Sequence, residues 1–327
     1  MTSRRKFLRR AAAALAAGSI ASPLLAGHEP AMGRRLRKIG IQLFSIPRLA
    51  EKDFAGTMKM VADIGYKEVE LYGPYLFSPE EEKRGWASVA AELGFSGSGF
   101  FGLTVKEMKS IMKDNGLSVP SLHTGLATLK DLKALDQLAE AAHTLGARYV
   151  VLLSAATQPD LDGYRKQADE FNNIGAEAAK RKIRFAYHNH GNGLRPIEGK
   201  TPFDLIVEST DPKNVFFQMD IFWMTAGGVD AADYLDRYPG RFRLIHIKDM
   251  SEDVRFSGDG GDPSQWMALF PYLTNAGSGV LDLEDILSFA LRSGVEHFIV
   301  ERDLAPDPEG DLSKSIGYLK NLELSRQ

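Results

Sequence analysis

From Lys38 onward the chain alternates short apolar runs with longer stretches whose apolar residues recur at helical spacing. The short runs are rich in Val, Ile, Leu and aromatic residues, the pattern of strands buried on both faces. Eight such strands are predicted, at residues 39–45, 67–73, 117–123, 147–154, 183–188, 215–220, 243–249 and 297–302. Between them the spacing predicts helices. Over 53–64, Phe54, Met58, Val61 and Ala62 share one face. Thr104 and Glu107 are spaced as a capping box, which opens a helix over 104–115, and Gly116 ends it. Helices are also expected at 129–145, 161–181, 203–209, 231–238, 283–293 and 312–322, with one more inside the long connection 74–102. A glycine-rich excursion fills 250–280, with Gly258, Gly260 and Gly261 at its centre, and reads as a mobile lid or an oligomer contact.

Strict alternation of apolar strands and crossover helices means parallel strands covered on their faces. Eight units favour a closed (β/α)8 TIM barrel as a single domain over 38–327. An open doubly wound sheet fits less well, because Ser45-Ile46-Pro47-Arg48 follows the first strand where a glycine-rich dinucleotide turn would stand. The chain has 327 residues, 44% of them hydrophobic, enough for one large core and a leader. Its formal charge is −3 and it has no long basic block beyond the N-terminus, so nucleic acid is not an expected partner. The absence of cysteine excludes disulfides and thiolate metal sites. Any metal must be held by His, Asp and Glu, a set suited to Mn, Mg, Co, Fe or Zn.

Residues 1–37 read as a leader and linker. Ser3-Arg4-Arg5-Lys6-Phe7-Leu8 resembles a twin-arginine signal, and the alanine-rich run behind it is too weakly apolar to span a bilayer. The expectation is a periplasmic or exported protein, carried already folded by the twin-arginine export machinery. Losing Arg4, Arg5, Lys6, Arg9 and Arg10 with the leader would take the formal charge from −3 to −8.

The candidate chemistry lies at strand ends. In a barrel of this kind, catalytic residues sit at the C-terminal ends of strands, and side chains alternate inward and outward. With His188 inward, His190 shares its side, Asp220 shares a face with Gln218, His246 with Lys248, and Glu301 with Ile299. Gln42, Glu70 and His123 stand at similar heights on earlier strands. Four metal-ligand types on consecutive strands, His188, Asp220, His246 and Glu301, point to one divalent metal, because buried polar groups without partners are costly and a cation offsets that cost. Lys248 either stabilises developing negative charge or pairs with Asp249.

The motifs around these residues form a longer pattern. YHNH at 187–190, DPKNVFFQMDIFW at 211–223, YPGRFRLIHIKDM at 238–250, GSGVLDLEDIL at 277–287 and FIVERD at 298–303 resemble the sugar phosphate isomerase/epimerase group within the xylose isomerase-like TIM barrels. GIQLFSI, GYKEVELYG and SLHTGL are similar to that family's first three strand ends. The resemblance implies one divalent metal at the ends of strands five to eight and a small carbohydrate or polyol substrate. Asp220, His246 and Glu301 fall on the family's metal-binding positions, while His188 falls where many members carry Glu. Of the two glutamates that exchange protons in the epimerases, only Glu301 remains, so His190, Glu70 or Lys248 is expected to supply the second acid–base group. His123, Gln42, Trp223 and Tyr72 are expected to contact the sugar, with Phe44, Phe222 and Trp266 as further rings at the mouth. The ligand set is too small for the three-metal endonuclease IV relatives.

The expected activity is isomerisation or epimerisation of a ketose or keto-sugar by proton abstraction next to the carbonyl, through an enediolate. With a leaving group β to the carbanion, the same site would act as a lyase or hydrolase on 3-keto-glycosides. A non-catalytic periplasmic carbohydrate binder is the third reading.

Overall fold

In a computed structural model, which describes residues 34–325, the eight strands form a closed, wholly parallel barrel. They are β1 (Gly40–Gln42), β2 (Glu68–Tyr72), β3 (Ser121–Thr124), β4 (Tyr149–Leu152), β5 (Arg184–His188), β6 (Val215–Asp220), β7 (Phe242–Ile247) and β8 (His297–Val300). Neighbours around the ring run β1, β8, β7, β6, β5, β4, β3, β2. The twin-arginine segment lies outside the described residues. Arg34 is already tied to the barrel body, pairing with Leu324 through backbone hydrogen bonds of 3.0 and 2.8 Å.

Several strands are shorter than their apolar runs. Leu43–Ser45 leaves β1 as a 3-10 turn. Pro120 lacks an N–H for the ladder, and β3 begins only after it. Beyond β7, Asp249–Met250 pairs antiparallel with Leu273–Thr274 instead of extending the barrel. The capping box at Thr104 and Glu107 forms in full at the start of Val105–Asp114. The helix expected at 129–145 is two helices, Leu126–Lys130 and Leu132–Leu145. Asp131 separates them and caps the second through the backbone N–H groups of Lys133 and Ala134. Three short helices escaped the sequence reading, Pro47–Lys52, Ile221–Ala226 and Pro263–Leu269, each too short for a periodic signal.

Period-two alternation fills the barrel in layers. Tyr149, Val151, Ala186, Phe216, Leu244 and Ile299 pack together as a separate buried cluster. Two residues further along β5, β6, β7 and the β8 end, the same inward face becomes His188, Gln218, His246 and Glu301. The apolar layer is thus the floor on which the polar side chains stand.

The 250–280 excursion is a packed segment. Met250, Phe256, Leu269 and Leu273 form a second core with Phe222, Trp223 and Ala226 from the short helix Ile221–Ala226 behind β6. The Asp249 carboxylate fastens it by accepting from the backbone N–H groups of Gly277, Gly279 and Leu281. Gly277 has φ +84°, and an added methyl would overlap the Tyr318 ring. Gly277→Ala is expected to cost about 1–3 kcal/mol through backbone strain and overpacking. Urea denaturation of the variant measures it, and an unchanged midpoint would contradict the assignment.

Candidate metal centre and active site

The innermost polar group is Glu70 on β2, fully buried. Its Oε1 accepts from Gln42 Nε2 at 2.8 Å and lies 2.6 Å from His246 Nε2 and 3.0 Å from His123 Nε2. Its Oε2 accepts from Gln218 Nε2 at 2.9 Å and from the Ser121 hydroxyl. Gln218 turns its other amide atom, Oε1, to His123 Nε2 at 2.6 Å. Burial alone would raise the Glu70 carboxyl, but the His123 and His246 rings hold it well below the usual carboxylate range. Enclosed by five donors, Glu70 has no face left for a substrate, so the expectation of an acid–base role gives way to one of fixing the two imidazoles. Gln42 belongs to the same network, and its Oε1 accepts from Phe44 N at 3.3 Å.

Above this network stand the four expected ligands. His246 Nδ1 is 2.7 Å from Glu301 Oε2 and 3.9 Å from Asp220 Oδ2, and His188 Nε2 is 3.9 Å from the same Asp220 oxygen. Asp220 divides its work. Oδ1 caps the helix Ile221–Ala226 by accepting from Trp223 N at 3.0 Å, and Oδ2 faces the centre. Asp220 Oδ2 and His246 Nδ1 are buried without an aligned hydrogen-bond partner, despite their close neighbours. Among the described residues, Asp220, His246 and Glu301 present ligand atoms within 4.8 Å of one another, as do His123, His188 and His246. Two buried ligand atoms that face one point without aligned hydrogen bonds fit a divalent cation, which would take the place of the ammonium at Asp220 Oδ2 and of a proton at His246 Nδ1. His188 borders this group through Asp220, and its ring centroid lies 4.7 and 5.3 Å from those of His246 and His123.

Lys248 supplies the positive charge. Its buried ammonium is 2.6 Å from Asp303 Oδ2, 2.9 Å from Glu301 Oε2 and 3.1 Å from Asp220 Oδ2. The pairing with Asp249 does not form, because that carboxylate points the other way into the glycine loop. Burial disfavours the ammonium, but Asp220 and the other two carboxylates outweigh it and raise Lys248. Burial likewise pushes His246 down, yet Glu301 and Glu70 on its two sides raise it to about 10. Burial would raise Glu301, and Lys248 with His246 lowers it instead. Asp303 is pushed up to about 6 by burial, against the pull of Lys248. Burial also carries His188 well below its ordinary value and His190, with help from Lys248, down to about 3. Both imidazoles are therefore neutral at neutral pH.

The aromatic expectations divide. Trp266 is half-buried at the mouth, stacked on His190 with centroids 4.5 Å apart. Trp223 is fully buried, stacked on Phe256 at 5.6 Å, with Lys248 Nζ 5.2 Å from its ring centre. It is a wall behind the lysine, not an open platform for a sugar. Phe222 is also buried, in the same core. Tyr72 packs among Phe44, Trp86 and Phe101, and its hydroxyl donates to Gly97 O at 2.7 Å, which closes it off. Three participants were missed as such by the sequence reading: Asp303, Gln218 and Ser121. For Asp303 a signal was present, as it lies two residues past Glu301 and so on the same side of an extended chain.

The xylose isomerase-like TIM barrel family matches residues 58–322. The chain is 29% identical over 141 residues to an inosose dehydratase of Geobacillus thermodenitrificans, a match over 42% of this chain and 46% of that enzyme. It thus spans about half the length of the curated relatives it matches. Among solved structures, a sugar phosphate isomerase/epimerase from Parabacteroides distasonis superposes with a TM-score of 0.69 at 21% identity, over 91% of this chain and 98% of that one. The zinc-bound IolI protein superposes with a TM-score of 0.61 at 14% identity, over 86% and 95%. The family match runs from the first crossover helix through the last, across every strand that contributes to the polar centre except β1, and the chain belongs to the xylose isomerase-like TIM barrel family.

Proposed function

We propose that the protein is a divalent-metal-dependent enzyme that removes a proton next to the carbonyl of a keto-cyclitol or keto-sugar and completes the reaction by β-elimination of water. The observation that carries this reading is the cluster of Asp220, His246 and Glu301, in which Asp220 Oδ2 and His246 Nδ1 lack aligned hydrogen bonds and Glu301 makes its close contacts through Oε2. The inosose dehydratases among its sequence relatives support the same outcome. A divalent ion held by Asp220, His246 and Glu301, with His188 at its edge, would polarise the carbonyl and acidify the adjacent C–H.

The residues divide the remaining work. Both close contacts of Glu301 run through Oε2, so Oε1 is assigned to the proton. The C–H bond breaks, its electron pair forms the enediolate, and Lys248 stabilises the negative oxygen. When the β C–O bond breaks, the electron pair returns as a C=C bond and the departing hydroxide takes the proton from Glu301, leaving as water. One carboxylate suffices for this sequence, whereas epimerisation by exchange between opposite faces needs two acid–base groups. His188 in place of a second glutamate therefore favours elimination over the isomerase reading. His190, neutral and stacked on Trp266, lines the path by which substrate hydroxyls enter.

Incubation with Mn2+ and an inosose or a 3-keto-sugar in D2O, followed by mass spectrometry and ultraviolet spectroscopy, tests the proposal. Loss of water with a new conjugated chromophore is expected. Deuterium entering recovered substrate or its epimer without water loss would replace elimination by isomerisation, and no change in either substrate would reject catalysis on this class.

A further inference from the structure

We propose that Asp303 is a positioning residue for metal loading: it draws the Lys248 ammonium off Asp220 and Glu301 so that these two carboxylates can take a divalent cation. The inference rests on the metal reading above. The ammonium is shared among three buried carboxylates, and its shortest contact, 2.6 Å, is to the one outside the ligand cluster, against 2.9 Å to Glu301 and 3.1 Å to Asp220. The lysine side chain is itself fully buried, as is Asp220, while Glu301 and Asp303 side chains are 7% and 5% exposed.

A divalent cation and an ammonium cannot both lie against Asp220 and Glu301 in a dry site, because like charges repel there with little screening. The ammonium needs an alternative counter-charge, and Asp303 is the one already in contact. The charges make this specific. Counted with His246 as a neutral ligand, three carboxylates and one ammonium sum to −2, the complement of one divalent ion. Without Asp303 the sum is −1, and the ammonium is committed to the two ligands the metal needs. The Trp223 ring, 5.2 Å from Nζ, bounds the lysine on another side and offers a π face as secondary support when the ammonium shifts. A residue that merely braced the fold would change stability. A residue that relocates the competing cation changes metal affinity, and only while the lysine is present.

A double-mutant cycle tests this with Mn2+ affinity, measured calorimetrically on metal-stripped protein, as the readout. Asp303→Asn keeps the shape of the side chain and is expected to weaken Mn2+ binding by about tenfold or more, in the range seen when outer partners of metal ligands are removed. In a Lys248→Met background the same substitution is expected to change affinity less than about twofold, since no ammonium remains to be placed. Equal affinity of wild type and Asp303→Asn would overturn the inference and leave the metal reading standing. So would an undiminished loss in the Lys248→Met background. No Mn2+ binding by the wild type would overturn both. If Lys248→Met does not fold, Lys248→Gln serves as the lysine-free background, with circular dichroism and thermal melting showing that each variant's fold is intact.

Discussion

Replacing Glu301 by glutamine is expected to lower turnover by about a thousandfold or more while leaving the barrel folded. Two losses combine. The amide cannot accept and return the substrate proton, which alone is worth about 10²–10⁴ in rate, and it ligates a divalent cation more weakly than a carboxylate does. The fold is expected to survive because the amide has the same shape, and because Lys248 keeps Asp303 at 2.6 Å and Asp220 at 3.1 Å. Single-turnover kinetics at saturating Mn2+ would separate the two losses: the proton-transfer defect persists when the metal is saturating, and the ligation defect does not. Activity within tenfold of wild type under those conditions would remove Glu301 from the reaction. His246→Ala acts by a different route, taking away the Nδ1 ligand atom and one of the Glu70 partners together.

The largest effect on stability is expected at Glu70. Truncation to alanine would leave Gln42, Ser121, Gln218, His123 and His246 facing a void in a layer closed to water. Breaking a buried charged network by removing one partner typically costs about 3–5 kcal/mol, a large share of the stability of an ordinary domain. Chemical denaturation would measure it, and a loss under about 1 kcal/mol would mean that the network relaxes around the gap. The expected functional corollary is a loss of metal affinity without any change to a ligand, since His246 would no longer be held through Nε2.

These two residues also mark where the sequence was legible. The barrel followed from eight apolar runs and the helices between them, because period and order survive every local adjustment. His188, Asp220, His246 and Glu301 were visible because strand ends in this architecture are defined positions and their residue types share a chemistry. What could not be read was pairing. Glu70 looks the same in sequence whether its carboxylate is open to substrate or enclosed, and only the meeting of β1, β2, β3, β6 and β7 encloses it. Lys248 stands beside Asp249 in the chain, yet consecutive residues of an extended segment point to opposite sides, so the adjacent carboxylate is the wrong partner and Asp303, 55 positions away, is the right one. Trp223 and Tyr72 belonged to strand-end segments and so looked like rings at the mouth; the second core and the Gly97 carbonyl claimed them.

Asp220 holds a helix start with one oxygen and faces the ligand cluster with the other. The backbone amide it caps belongs to Trp223, whose indole lies flat against Phe256 and within 5.2 Å of the Lys248 nitrogen. A cation drawn against the carboxylate would act on a chromophore one hydrogen bond away, so the emission of this buried indole is expected to change on addition of Mn2+.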